Sequence, residues 1–131
     1  MVKQVIVMRK DLNMRKGKMI SQGAHASMKV FFDRLIYNEN LPKGGYWRAL
    51  NFSPKEKEWI EDKFTKICVS VNSEQELLDV YNAATANGIR SALIQDAGLT
   101  EFGGVPTYTC CAIGPDDIEK IDAITGKLPL L

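Results

Sequence analysis

The run "TKICVSVNSEQELLDVYNAATANGIRSALIQD", residues 65–96, constrains the fold more than any other stretch of the chain. Ile67, Val69 and Val71 alternate with smaller residues, which is the period of a half-buried strand. Ser73 and Glu76 form a capping box ahead of a helix over 73–87, and Gly88 supplies a left-handed stop. Residues 89–95 then return to a strand. Strand, helix and strand within about 30 residues make a βαβ unit, which predicts a parallel pair joined by a right-handed crossover. Such a unit commits the chain to helices packed against a sheet.

The flanking segments extend this plan. Val2–Met8 ("VKQVIVM") is β-branched and predicts a central strand. A helix is expected from about Gly17 to Tyr37, followed by an irregular excursion over 37–52 that holds Pro, Gly-Gly and Asn. Ser53 as N-cap, Pro54 at N1 and Glu56 predict a short capped helix. "PTYTCCAIGP" predicts a fourth strand. Pro115-Asp116-Asp117 then opens a last helix with Ile118, Ile121 and Ile124 inward and Gly126 at its close. The expected fold class is α/β: a small three-layer sandwich, a four-stranded mixed sheet with helices on both faces.

At 131 residues the chain is one domain's worth, 1–131. An apolar fraction of 45% with 25% charged residues argues against disorder. No apolar run approaches the ~20 residues that span a bilayer, and the N-terminus lacks a signal-peptide pattern, so no membrane partner is expected. Three cysteines without CxxC spacing predict a reduced, cytoplasmic protein. A small sheet with an exposed edge strand suggests a homodimer. The charge is unevenly placed. Residues 1–29 hold seven basic side chains against Asp11 alone, a net +6, and the remainder carries −5. A local site for a polyanion and a solvated charged face both account for this division.

The expected first helix carries the only histidine. In "GKMISQGAHA", residues 17–26, Lys18, Gln22 and His25 are spaced i, i+4 and i+7. With Lys18 at 0° and about 100° per residue, Gln22 falls at about 40° and His25 at about −20°. Ile20, Ala24, Met28, Phe31 and Leu35 fall between about 200° and 280°, the stripe expected to face the core. The polar strip is then expected to point away from the main core. It starts at a helix N-terminus, where free amides and the dipole favour anions. A solvent face that happens to carry a histidine fits the same pattern.

"RKDLNMRKGKMISQGAHA" resembles the signature of the type 2 peptidyl-tRNA hydrolases, the family typical of archaea and eukaryotes. The likeness continues through "TKICVSV", whose entering lysine is Lys66. It extends through "QDAGLTEF", with Asp96, Gly98 and Thr100, to "AIGP" and "IDAITGKLPLL", and so covers essentially the whole chain. Two departures stand out. Residues 43–64 are longer than the family's usual connection, and "TEFGGVPTYT" has Val-Pro where the family more often has Gly-Thr or another polar residue.

What the resemblance implies is hydrolysis of the ester joining a peptide to the 3′-terminal ribose of tRNA, with peptidyl-tRNA as partner and with no cofactor or metal. Asp96, at the carboxyl end of a strand, is expected to orient or deprotonate the attacking water, paired with Lys18. Lys18 is expected to stabilise the oxyanion or a phosphate, and Gln22 and Thr100 to position water. His25 reads either as a proton shuttle or as an imidazole tying the helix to the sheet. Arg9, Lys10, Arg15, Lys16 and Lys66 are expected to meet tRNA phosphates. Trp47, beside Tyr46, reads as a base-stacking residue or as an anchor for its loop. Taken alone, Asp96 also fits a turn aspartate bonded to its own loop. Cys110 or Cys111 with His25 would suggest a thiol hydrolase, but mid-strand cysteines among apolar neighbours are usually inert. A non-catalytic RNA- or protein-binding module that kept the fold is the competing function, and hydrolysis of another ester-linked acyl group on RNA is a third.

Overall fold

The computed structural model describes residues 1–37, 48–49 and 51–131. The chain runs β1 (Val2–Arg9), α1 (Lys16–Phe32), β2 (Ile36–Tyr37), β3 (Arg48–Ala49), α2 (Pro54–Glu61), β4 (Lys66–Val71), α3 (Glu74–Ala86), β5 (Ser91–Asp96), β6 (Thr107–Asp117) and α4 (Ile118–Thr125). Four strands form one mixed sheet in the order β4-β1-β6-β5, and β2 and β3 form a short ladder of their own. β1 is parallel to β4 and antiparallel to β6, which is in turn antiparallel to β5.

Helices cover both faces, as expected. On one face Ile6, Met8, Ala92, Ile94, Cys110 and Ala112 pack against α1 and against Trp59 of α2. On the other, Val5, Val7, Val69, Val71, Cys111 and Ile113 pack against Leu77 and Ala84 of α3 and Ile121 of α4. The adjacent Cys110 and Cys111 therefore belong to opposite cores, as strand alternation requires. Burial pushes the Cys110 thiol up to about 12, and it pushes Cys111 up as well.

Four expectations shift. The strands of the β4-α3-β5 unit are not neighbours, because β1 and β6 lie between them. β1 and β6 hold six- and seven-residue buried runs, and strands apolar on both faces belong at the centre of a sheet. Helix α1 ends at Phe32 rather than near Tyr37, since Ile36–Tyr37 pairs with Arg48–Ala49. Strand β6 runs on through Asp117, because Asp116 and Asp117 pair with Lys3 and Val2, so α4 begins only at Ile118.

The fourth correction concerns the face of α1. The buried residues are Gln22, Gly23, Ala26, Val30 and Phe31, whereas Ile20 is 73% exposed and Met28 52%. Of the expected core stripe only Phe31 is buried. Small residues decide the face: at Gly23 a methyl group would already touch Ile6 and Met8 at 3.8 Å, so the helix backbone lies close on the sheet there.

Helix α2 carries the expected capping box. The Ser53 hydroxyl accepts from Glu56 N–H at 3.1 Å, and Glu56 accepts from Ser53 N–H at 2.8 Å. Glu56 is 1% exposed and also pairs with Arg34 from the end of α1 and with Arg90, at 2.6 Å, from the entry to β5. One buried carboxylate thus joins the end of α1 to α2 and the sheet. The Ser73 hydroxyl likewise caps α3 through Glu76 N–H at 3.0 Å, while Glu76 reaches Asn72 N–H at 2.7 Å. At the sheet margins, β4 is bordered by the C-terminal tail, with Ser70 N–H on Pro129 O and Leu131 N–H on Cys68 O. Among the described residues no strand pairs with the outer edge of β5.

Replacing Glu56 by Ala removes the reciprocal cap, worth about 1 kcal/mol, and charge-assisted bonds of about 1.5 kcal/mol or more. Urea denaturation should show a loss of about 2–3 kcal/mol, with Ser53→Ala losing only the smaller part.

Candidate active site

Helix α1 begins at Lys16 with no side chain capping its first turn and no acidic residue in it. Lys18 lies in that turn and extends to the carboxyl end of β5, where its Nζ donates to Asp96 Oδ1 at 2.8 Å and to Thr100 Oγ1 at 3.1 Å. One turn on, Gln22 Nε2 donates to the same Oδ1 at 3.3 Å. The other carboxylate oxygen, Oδ2, accepts the backbone N–H of Gly98 at 2.8 Å. Gly98 has φ +80°, and a Cβ there would come within 2.2 Å of the Val105 carbonyl oxygen, so the Asp-Ala-Gly turn accepts only glycine at this position.

Two contributors lie beyond the sequence expectation. One is the Gly98 N–H. The other is Thr109, wholly buried, whose hydroxyl donates to Gln22 Oε1 at 2.5 Å. Strand alternation would place Thr109 on the face of Cys111, away from α1. A register shift between Ile94 and Gln95, which pair with Cys110 and Tyr108, leaves Thr109 as an extra residue on β6. The resulting bulge turns Thr109 and Cys110 together toward α1, where the Cys110 thiol donates to Gln22 O. No signal in the sequence marks which of Thr107 and Thr109 is aimed inward.

The Lys18 and Asp96 side chains are 14% and 15% exposed, so the pair is sheltered yet reachable. The Lys18 ammonium, above all, holds the Asp96 carboxyl below its usual value, helped by the Gly98 N–H and Gln22 and opposed by burial. Lys18 also stands 5.8 Å from the centre of the Phe102 ring. An ammonium has three donors, and Asp96 and Thr100 take two of them.

The remaining expected residues divide. Lys10, Arg15 and Lys16 are exposed around the start of α1, with Arg15 3.8 Å from Glu101. Arg9 is buried and engaged, donating to both oxygens of Asp11 and to Tyr108 O at 3.0 Å, so its guanidinium braces the sheet end. Lys66 enters β4 beside Gln4, at the opposite end of the sheet from Asp96. It lies 3.2 Å from the Phe64 ring centre and 4.8 Å from that of Trp59, and burial lowers its pKa. Lys16 and Lys66 both line an apolar groove of about 640 Å³ on the other flank of α1, between Ile20, Met28 and Cys68. His25 is exposed and lines a separate cleft with Gln95 and Phe32; it is not the buried imidazole tying helix to sheet. Trp47 and Tyr46 lie outside the described residues. No group of three or more His, Cys, Asp or Glu among the described residues could hold a metal ion, and no described helix is long and apolar enough to cross a membrane.

A family model described as Peptidyl-tRNA hydrolase PTH2 matches residues 2–131. Curated relatives named peptidyl-tRNA hydrolase match over nearly the whole chain. That of Methanocaldococcus jannaschii is 43% identical over 99% of this chain and 100% of its own length. That of Methanothermobacter thermautotrophicus is 42% identical over the same shares, and that of Methanopyrus kandleri 38% identical over 100% and 99%.

Removing the Lys18 charge should return Asp96 toward the ordinary carboxylate value of 3.8. Carboxyl-carbon NMR titration should therefore show a higher midpoint in Lys18→Met than in the wild type. The linkage follows in sign. With its folded pKa depressed, Asp96 contributes stability above about pH 4 that is lost as pH falls through its folded value.

Proposed function

From a chain that belongs to the peptidyl-tRNA hydrolase PTH2 family, and so hydrolyses the ester bond of peptidyl-tRNA, we infer that the reaction runs at Asp96 and Lys18. The observation that carries this inference is the Lys18–Asp96 pair itself, sheltered at the carboxyl end of β5 with both carboxylate oxygens already held. Open α/β sheets bind their ligands at such strand ends.

The division of labour follows from the donors. Asp96 orients the attacking water and takes up its proton as the water oxygen bonds the ester carbon. The carbonyl oxygen becomes an oxyanion, and the third N–H of Lys18 meets it. Collapse breaks the bond to the ribose 3′ oxygen, which takes the proton from Asp96, leaving a free peptide carboxyl and a free 3′ hydroxyl on the tRNA. A carboxylate with a lowered pKa is a weak base. Its main contribution is to fix the water and Lys18 in place; it is charged before each attack and holds the proton only until the ribose oxygen leaves. Gln22, locked by Thr109, stops Asp96 from rotating, and Thr100 holds the lysine from the other side. His25 opens onto a different cleft and takes no part in this step.

Lys10, Arg15 and Lys16 surround the same end of α1, and we assign them to the tRNA phosphates beside the uncapped helix amides. Arg9 supports them from below by fixing the turn. Lys66 and Trp47 are left out of this assignment. Every group named comes from one chain, residues 1–131 acting as one catalytic unit, and we place it in the cytoplasm, where its substrate is made.

Asp96→Asn and Lys18→Ala should each lower kcat on an N-acetylaminoacyl-tRNA by about 100-fold or more. Activity within a few-fold of wild type in a folded Asp96→Asn protein overturns the assignment and favours the non-catalytic binding module. Arg15→Ala and Lys16→Ala should leave kcat nearly unchanged. Each should reduce the salt slope of tRNA binding by about one, whereas Lys66→Ala should not.

A further inference from the structure

We propose that the nascent peptide of the substrate docks as an added strand along the outer edge of β5, which no strand among the described residues covers. This rests on the assignment of the reacting ester to Asp96 and Lys18. The last residue of β5 is Asp96, so the edge leads directly into the reacting centre. Between that edge and α1 lies a cleft of about 450 Å³ lined by His25, Met28, Lys29, Phe32, Ile94 and Gln95. Phe32 and Met28, each 52% exposed overall, offer apolar surface at this cleft, and Met28 also borders the groove on the other flank of α1.

The direction of the added strand is dictated by the chemistry. The peptide is esterified through its C-terminal carboxyl, which must lie at Asp96, and its N-terminus must leave toward Ser91. It therefore runs parallel to β5. The groups that would receive it are also defined. Gly114 N–H donates to Arg90 O at 2.9 Å, and Arg90 precedes Ser91 in the 91↔113 register. By the alternation of an antiparallel ladder, Ala92 and Ile94 face β6, while the backbone N–H and C=O of Ser91 and Leu93 face outward. At about 3.3 Å per residue, the six residues of β5 span about 20 Å and match the last five or six residues of the peptide, those nearest the ester.

Main-chain pairing is a fitting mode for a hydrolase that must accept every sequence, because all peptides carry the same backbone. Side chains on the α1 side of the added strand would meet Met28 and Phe32, giving a mild preference for apolar residues at every second position. His25, whose place is not explained by the hydrolytic step, becomes part of the wall of this channel.

The test uses the intact protein and a series of peptidyl-tRNAs. KM should fall as the peptide grows from one residue to about five and then level off. Tetra- and pentapeptidyl-tRNAs carrying one N-methyl group each should then show a period of two. Methylation of every second residue removes an N–H that pairs with β5 and raises KM about threefold or more, and methylation of the residues between has little effect. Leu93→Pro, which deletes an outward N–H on an edge strand, should flatten the length dependence, with its fold checked by thermal melting. A KM independent of length overturns the proposal, as does a length dependence without the two-residue period, which would point to the apolar groove on the other flank of α1. A homodimer paired edge to edge through β5, seen as a doubled mass by light scattering, also overturns it. Hydrolysis of the N-acetylaminoacyl-tRNA that is lost in Asp96→Asn leaves the reacting centre standing in all of these cases; absence of that hydrolysis is the failure of the centre itself.

Discussion

The carboxamide of Gln22 is where helix and sheet agree on a single alignment. It is 2% exposed, and a buried amide left unpaired costs about 1–3 kcal/mol. Thr109 satisfies its oxygen and Asp96 lies on its nitrogen, so partners on two different strands specify the rotation of α1 about its own axis. Once that rotation is set, Gly23 and Ala26 lie against the sheet, Lys18 falls on Asp96, and Ile20 and Met28 are turned out. A helix seated on its most apolar stripe would instead bury Ile20 and Met28 and aim Lys18 at solvent.

The electrostatics of the site follow from that seating. Lys18 and Asp96 are mostly withdrawn from water, where their attraction is stronger than at a free surface. The carboxylate is further held by a backbone N–H that only a glycine turn can present. Polar groups arranged before substrate arrives need not reorganise as charge develops on the ester, which is the condition under which such donors are most effective.

Function and stability are divided between the two ends of the sheet. At the carboxyl end of β5 lie the groups we assign to the reaction, the exposed cations of the α1 start and the brace formed by Arg9 and Asp11. At the other end, Glu56 gathers Arg34, Arg90 and the Ser53 cap, while Trp59 stacks on Phe31 with ring centres 5.7 Å apart and donates to Thr65 O at 2.7 Å. The long connection after α1 thus returns to the core through α2. Lys66 belongs to this second end, over Phe64 and Trp59, which is why its positive charge is remote from Asp96.

Much of this was legible in the residues. Capping boxes at Ser53 and Ser73, the stop at Gly88, strand alternation across Cys110 and Cys111, and the concentration of Lys and Arg near the start of α1 are local effects, decided within a few positions of the chain. The Lys18, Gln22 and Asp96 combination was equally visible, through helical spacing and its likeness to a known signature. The strand order was not, because periodicity reports which face of a strand is buried and is silent on its neighbours. Nor was the buried face of α1, since a hydrophobic stripe loses to a face of small residues when the backbone must approach a sheet closely. Thr109 and His25 show the limit most clearly. A one-residue bulge in β6 turned a threonine toward Gln22, and the histidine one helical turn beyond Gln22 opens onto the cleft beside Gln95; both placements depend on how separate segments register in space.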